Sequence, residues 1–174
     1  MTTVHFQPEG YTTVTSWLVT EDTGKLLDFL TEVFDGVETD RVATEDGSIG
    51  HAEIRVGDTM LLAFDRRPDW PALPALLRIW VADPDATVEK AVKAGARVVT
   101  ELSNAAWGDR GARIRDPFGN IWWIMSHIED VSDEESWRRM NAPGFAEVME
   151  DAQKTFDAEM TGREGRSSRP VNPE

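Results

Sequence analysis

The chain repeats itself, and that constrains its fold more than any other feature. Ala52-Glu53-Ile54-Arg55-Val56-Gly57 returns sixty positions later as Ala112-Arg113-Ile114-Arg115-Asp116-Pro117. Ahead of each copy lies a helical pattern. In the first, Asp22-Thr23-Gly24 leads into Leu26, Leu27, Phe29, Leu30, Val33 and Phe34, closed by Gly36. In the second, Asp83-Pro84-Asp85 leads into Val88, Ala91 and Val92, closed by Gly95. Asp supplies an N-cap oxygen, apolar residues recur at three and four, and glycine permits a left-handed exit. Strand-like runs at residues 11–19 and 76–81 precede the helices. Three more follow each helix, at 38–44, 50–56 and 59–64 and then at 97–102, 112–115 and 121–126. Both halves therefore read as β-α-β-β-β, an α+β organisation.

Six segments result: an N-terminal stretch (1–10), a first module (11–65), a linker with three prolines (66–74), a second module (75–130), C-terminal helices (131–160) and a disordered tail (161–174). Ser132 and Glu135 have capping-box spacing, and Asn141-Ala142-Pro143-Gly144 should interrupt the helix that they begin. Beyond the break, Phe145, Val148, Met149, Ala152, Phe156 and Met160 form one helical stripe. Its expected use is packing on the body of the same subunit, with a lid or a dimer contact as the alternative.

Composition removes several classes of function. With no cysteine among 174 residues, disulfides, thiolate nucleophiles, iron–sulfur clusters and cysteine zinc sites are excluded. Thirty-two acidic against eighteen basic residues leave a net charge of −14, which repels nucleic acid over most of the surface. No apolar run approaches a membrane span, and the opening MTTVHFQPEG has no signal-peptide pattern, so a cytoplasmic protein is expected. Nucleophile-elbow, P-loop and G-x-G-x-x-G motifs are missing.

Two such modules, with Asp116-Pro117-Phe118-Gly119-Asn120 before the last strand, resemble the vicinal oxygen chelate superfamily. This is the glyoxalase, bleomycin-resistance and dioxygenase group. Gly50-His51-Ala52-Glu53, the segment from Asp116 to Trp122 and the ending His127-Ile128-Glu129-Asp130 are similar to its PhnB-like branch. The resemblance covers about residues 10–132. It implies a curled mixed-sheet cup built from the two modules, with helices outside and a ligand pocket inside, and commonly a homodimer.

Alternation along the strands then sorts the side chains. Ala52, Ile54, Val56, Ala112 and Ile114 suit the helix side, whereas His51, Glu53, Arg55, Arg113 and Arg115 face the pocket, joined by Arg78. Trp80 and Trp123 have pocket parity, Trp17 and Trp122 have helix-side parity, and Trp107 lies in the loop before the seventh strand. The arginines suit an anionic aromatic ligand, and Trp80, Trp107 and Trp123 are placed to stack on it.

The resemblance also implies a divalent metal held near the start of the first strand and the end of the last strand of each module. Those positions fall at Val14, Ala63, Leu76 and Trp123, and none offers a metal lone pair. The expected function is metal-free binding of a planar or aromatic small molecule, as in antibiotic sequestration and self-resistance. The alternative is a lyase, isomerase or dioxygenase. It would use a divalent metal relocated to His51, Glu53 and His127, or His51 and Glu53 as a catalytic acid/base pair.

Overall fold

The computed structural model describes residues 5–162. The chain divides into two compact units between Ala75 and Leu76. The first contains β1 (Ser16–Thr20), α1 (Thr23–Phe34), β2 (Val37–Ala43), β3 (Ile49–Val56) and β4 (Thr59–Asp65). The second contains β5 (Leu76–Trp80), α2 (Pro84–Lys93), β6 (Arg97–Asn104), β7 (Asp109–Arg115) and β8 (Ile121–His127), followed by α3 (Asp133–Met140) and α4 (Pro143–Thr161). Each unit has a four-stranded mixed sheet of the same topology, β1-β4-β3-β2 and β5-β8-β7-β6. The first strand runs parallel to the last, and the other pairings are antiparallel. The α+β duplication read from the repeat is the fold.

Local chemistry explains the elements. The Asp22 carboxylate accepts from Lys25 N (3.0 Å), and that of Asp83 from Ala86 N (2.9 Å), so both helices start at capping aspartates. Leu26, Leu27, Leu30 and Val33 of α1 are buried against the first sheet. Burial of such side chains is worth about 1.5–3 kcal/mol each. Gly95 exits α2 with φ 95° as expected, but α1 ends differently. There Asp35 takes the left-handed position (φ 53°). Gly36 is needed for room instead, because a Cβ would lie 2.8 Å from Ile54 Cδ1.

Alternation on β3 follows expectation: Ala52 and Ile54 are fully buried beneath α1, and His51, Glu53 and Arg55 occupy the other face. The segment after β4 is tied to the first unit. Leu73 bridges Val19, and the Trp70 ring packs edge-on against Phe64 (6.0 Å). Thr161 closes α4 and Gly162 takes the left-handed conformation. The rest of the tail expected at 161–174 lies outside the described residues.

Candidate ligand-binding site

The open face of the first sheet carries a polar cluster. Glu53 on β3 accepts from the Tyr11 hydroxyl, lies 3.2 Å from His51 Nε2 and stands opposite Asp40 of β2. The Tyr11 bond is the main reason that the Glu53 carboxyl is held below its ordinary range, with His51 adding to it against desolvation. The same bond pushes the Tyr11 phenol up to about 12. Glu53 is thus a stable carboxylate, better suited to orienting a neighbour than to moving protons near neutrality. Ligand atoms of Asp40, His51 and Glu53 lie within 4.8 Å of one another.

Beside this cluster runs an aromatic row. Trp17 meets His51 at 5.7 Å and Phe64 at 5.4 Å, both edge-on. This corrects the helix-side parity expected for Trp17: Leu18 and Thr20 are buried under the helix, so Trp17 faces the other way and is 46% exposed. All six residues of Trp17-Leu18-Val19 and Leu61-Leu62-Ala63 are apolar, so local alternation could not orient the strand. Tyr11, Trp17, Asp40, Phe64 and Trp70 are site residues that alternation alone did not assign to this face.

In the second unit the corresponding face is covered. Helix α4 lies along β6, so it packs on the body of the same subunit, the expected use of its stripe, although Met160 stays exposed. Arg113 Nη1 donates to Ala152 O (2.9 Å) and Thr100 Oγ1 (3.2 Å), and the Thr100 and Thr155 hydroxyls are 3.0 Å apart. The Arg113 guanidinium sits over the rings of Trp123 (4.2 Å) and Phe156 (4.7 Å). Between α4 and the sheet is a cavity of about 200 Å³, walled by Trp107, Arg113, Trp123, Met125, Met149 and Gln153 among others. Three of the expected ligand-binding residues, Trp107, Arg113 and Trp123, therefore meet at one cavity. Arg78 stacks on Trp123 from the neighbouring strand (4.0 Å), and Trp80 lies beyond it.

Arg115 has another role: it pairs with Glu159 of α4 and donates to Gly119 O. Glu159 also accepts from Arg97 (2.7 Å), the larger influence holding its carboxyl down at about 2, with Arg115 next and burial opposing both. Because this folded value lies below the ordinary 4.5, the anchorage is complete above about pH 4.5 and is lost as the pH falls toward about 2. The protection factors of the α4 amides, exchange rates divided into the intrinsic rates at each pH, should fall across that window in the native protein. In Glu159→Gln they should already be low at neutral pH and change little with acid; a matching acid profile of protection in both would show that the carboxylate does not hold α4.

His127 is likewise engaged. Its Nδ1 is 2.7 Å from the buried Asp109 and its Nε2 3.0 Å from Asp130, so its pKa is raised, by Asp109 first. The other Asp109 oxygen accepts from Trp107 Nε1 (2.7 Å), fixing that wall of the cavity. His127 therefore serves a carboxylate–indole network in the second unit, and the candidate ion cluster draws on Asp40 instead.

The sequence profile of the glyoxalase/bleomycin resistance protein/dioxygenase superfamily matches residues 5–124. The chain belongs to that superfamily. An uncharacterized Mycobacterium bovis relative, Mb0911c, is 32% identical over 138 residues, covering 73% of this chain and 91% of its own. Among solved structures, TioX from Micromonospora sp. ML1 is 25% identical, with a TM-score of 0.56 over 66% of this chain and 97% of its own. The PhnB protein from Bacillus cereus shares the fold at 15% identity, with a TM-score of 0.54 over 66% of this chain and 99% of its own.

Sheet register refines which residues occupy the superfamily's metal positions. Glu53 and Arg113 are sixty apart, but their partners Leu62 and Trp123 are sixty-one apart. The β3–β4 connection has two residues, 57–58, and the β7–β8 connection has five, 116–120, which moves the register. Trp123 thus corresponds to Leu62 rather than Ala63, and Leu76 corresponds to Thr15 rather than Val14. Leucine and indole carry no donor for a cation, and the Thr15 hydroxyl is a neutral one that donates to Thr12 O (3.4 Å). This set does not fit the superfamily's metal.

Proposed function

We propose that this protein binds a planar aromatic small molecule without a resident metal. In this reading it acts as a sequestering receptor of the glyoxalase/bleomycin-resistance type, a cytoplasmic homodimer that makes and breaks no bond in its ligand. The observation that carries the reading is Trp123. It occupies one of the positions at which the resemblance implies a metal ligand, and it forms a wall of a cavity lined by tryptophan and methionine among others. Such a surface suits a flat aromatic molecule. Titrating intrinsic tryptophan fluorescence with a panel of planar aromatic natural products, with mass spectrometry of the recovered compounds, tests it. Saturable quenching, unchanged ligand and at least a tenfold loss of affinity in Trp123→Leu are expected. Turnover of a substrate with no quenching by any compound would overturn it.

The Asp40–His51–Glu53 cluster favours a second reading, a lyase, isomerase or dioxygenase that uses a divalent cation outside the superfamily's usual positions. Elemental analysis of protein purified without chelator separates the two. About one ion per chain, lost in His51→Ala, would install the enzyme reading; metal-free protein would remove it.

A further inference from the structure

The face of the second sheet that α4 partly covers carries alternating rings and guanidiniums. The Arg78 guanidinium is 5.9 Å from the Trp80 ring and 4.0 Å from Trp123, and that of Arg113 is 4.2 Å from Trp123 and 4.7 Å from Phe156. The register sets Arg78 of β5 and Arg113 of β7 directly opposite Trp123 of β8, which lies between them. Cation–π contacts help to hold the array and leave its positive charge in place.

The charge balance is the unusual part. Arg115 has Glu159, Arg97 has Glu159 and Arg110 has Asp85. Arg113 is only 9% exposed, yet its hydrogen bonds go to a hydroxyl and a backbone carbonyl. Arg78 has no ion-pair partner among the described residues. Burial and the nearby Arg78 both lower the pKa of Arg113, so the pair is under electrostatic load as it stands. The chain has a net charge of −14, yet among the described residues no acid pairs with Arg78 or Arg113. The distant acidic surface is screened beyond about 8 Å, so local charges decide what enters.

We infer that the ligand is a planar aromatic acid, whose ring enters the cavity walled by Trp107 and Trp123 and whose carboxylate, sulfonate or phenolate is held by Arg78 and Arg113 beside it. Arg78 is the specificity-determining residue, because Arg113 is already committed to Thr100 and Ala152. The inference rests on the binding function proposed above and narrows its ligand class.

A matched pair of fluorescent probes tests it: anionic 8-anilino-1-naphthalenesulfonate and neutral N-phenyl-1-naphthylamine, which share the ring system and differ by the sulfonate. The full chain should bind the anion at least tenfold more tightly, with the preference shrinking as salt rises. Arg78→Gln should abolish the preference, lowering the affinity for the anion at least tenfold more than that for the neutral probe, and circular dichroism would confirm that it is folded. Trp123→Leu should weaken both probes. Equal affinity for the two probes in the native protein, or a preference that survives Arg78→Gln, overturns the acid assignment and leaves the binding function standing. If neither probe binds, or Trp123→Leu changes neither, the binding function fails and the acid assignment with it.

Discussion

Asp116→Ala is expected to lower the unfolding free energy by about 4 kcal/mol in urea titrations, because one buried carboxylate organises the whole turn before β8. Asp116 Oδ1 accepts from Phe118 N (2.9 Å) and Asn120 N (2.8 Å), and Oδ2 accepts from Asn120 Nδ2 (2.8 Å) and Trp122 Nε1 (2.9 Å). Asp116, Asn120 and Trp122 are all nearly inaccessible to water, so alanine removes a buried acceptor from the donors around it. Asp116→Asn keeps one acceptor oxygen but turns an amide group toward other donors, and should lose about half as much. The turn sets the position of β8, and hence of Trp123, so both variants should also weaken binding of an aromatic probe. A loss below about 1 kcal/mol in the alanine variant would mean that the turn is held by something else.

Gly108→Ala should cost about 3 kcal/mol or more, through two additive causes. Gly108 has φ 92°, and a Cβ there would collide with the backbone oxygen of Glu129 and lie 2.9 Å from Val131 Cγ2. The approach is close because the Gly108 carbonyl accepts from both Ile128 N (2.9 Å) and Glu129 N (3.0 Å), tying the loop to the end of β8. Gly47→Ala separates the causes. Gly47 also has a positive φ, 86°, but nothing lies within 4 Å of its built Cβ, so only about 1 kcal/mol should be lost. The neighbours of Gly108 carry the cavity wall, Trp107, and its anchor, Asp109. A displaced Trp107 should therefore shift the emission spectrum of Gly108→Ala and not that of Gly47→Ala. Equal costs at the two glycines would remove steric contact as the explanation.

Much of the candidate site was legible from alternation on β3, β7 and β8, where polar or bulky residues interleave with small apolar ones. His51 with Glu53, and Arg113 with Trp123, fall on the faces that their neighbours imply. Alternation failed on β1 and β4, which are apolar on both faces, and there Trp17 was turned the wrong way. The sixty-residue repeat also slipped by one across the last strands. Hairpin length sets pairing register, and the two connections differ in length. Asp40 was missed because its strand is exposed along its whole length and shows no period to read.

The amino-acid sequence by itself determined the duplicated β-α-β-β-β framework, the helix starts, the turn at Asp116 and the loss of donor chemistry at Leu76 and Trp123. These follow from capping, from periodicity within a few residues and from residue type, all of which are local. Only the tertiary structure decided that α4 lies over the second sheet, that Glu159 pairs with Arg97 and Arg115, and that Arg113 and Arg78 have no acid paired with them among the described residues. Those outcomes depend on pairings such as the one between Arg115 and Glu159, forty-four positions apart, whose choice is made by packing geometry rather than by any short-range preference of the chain.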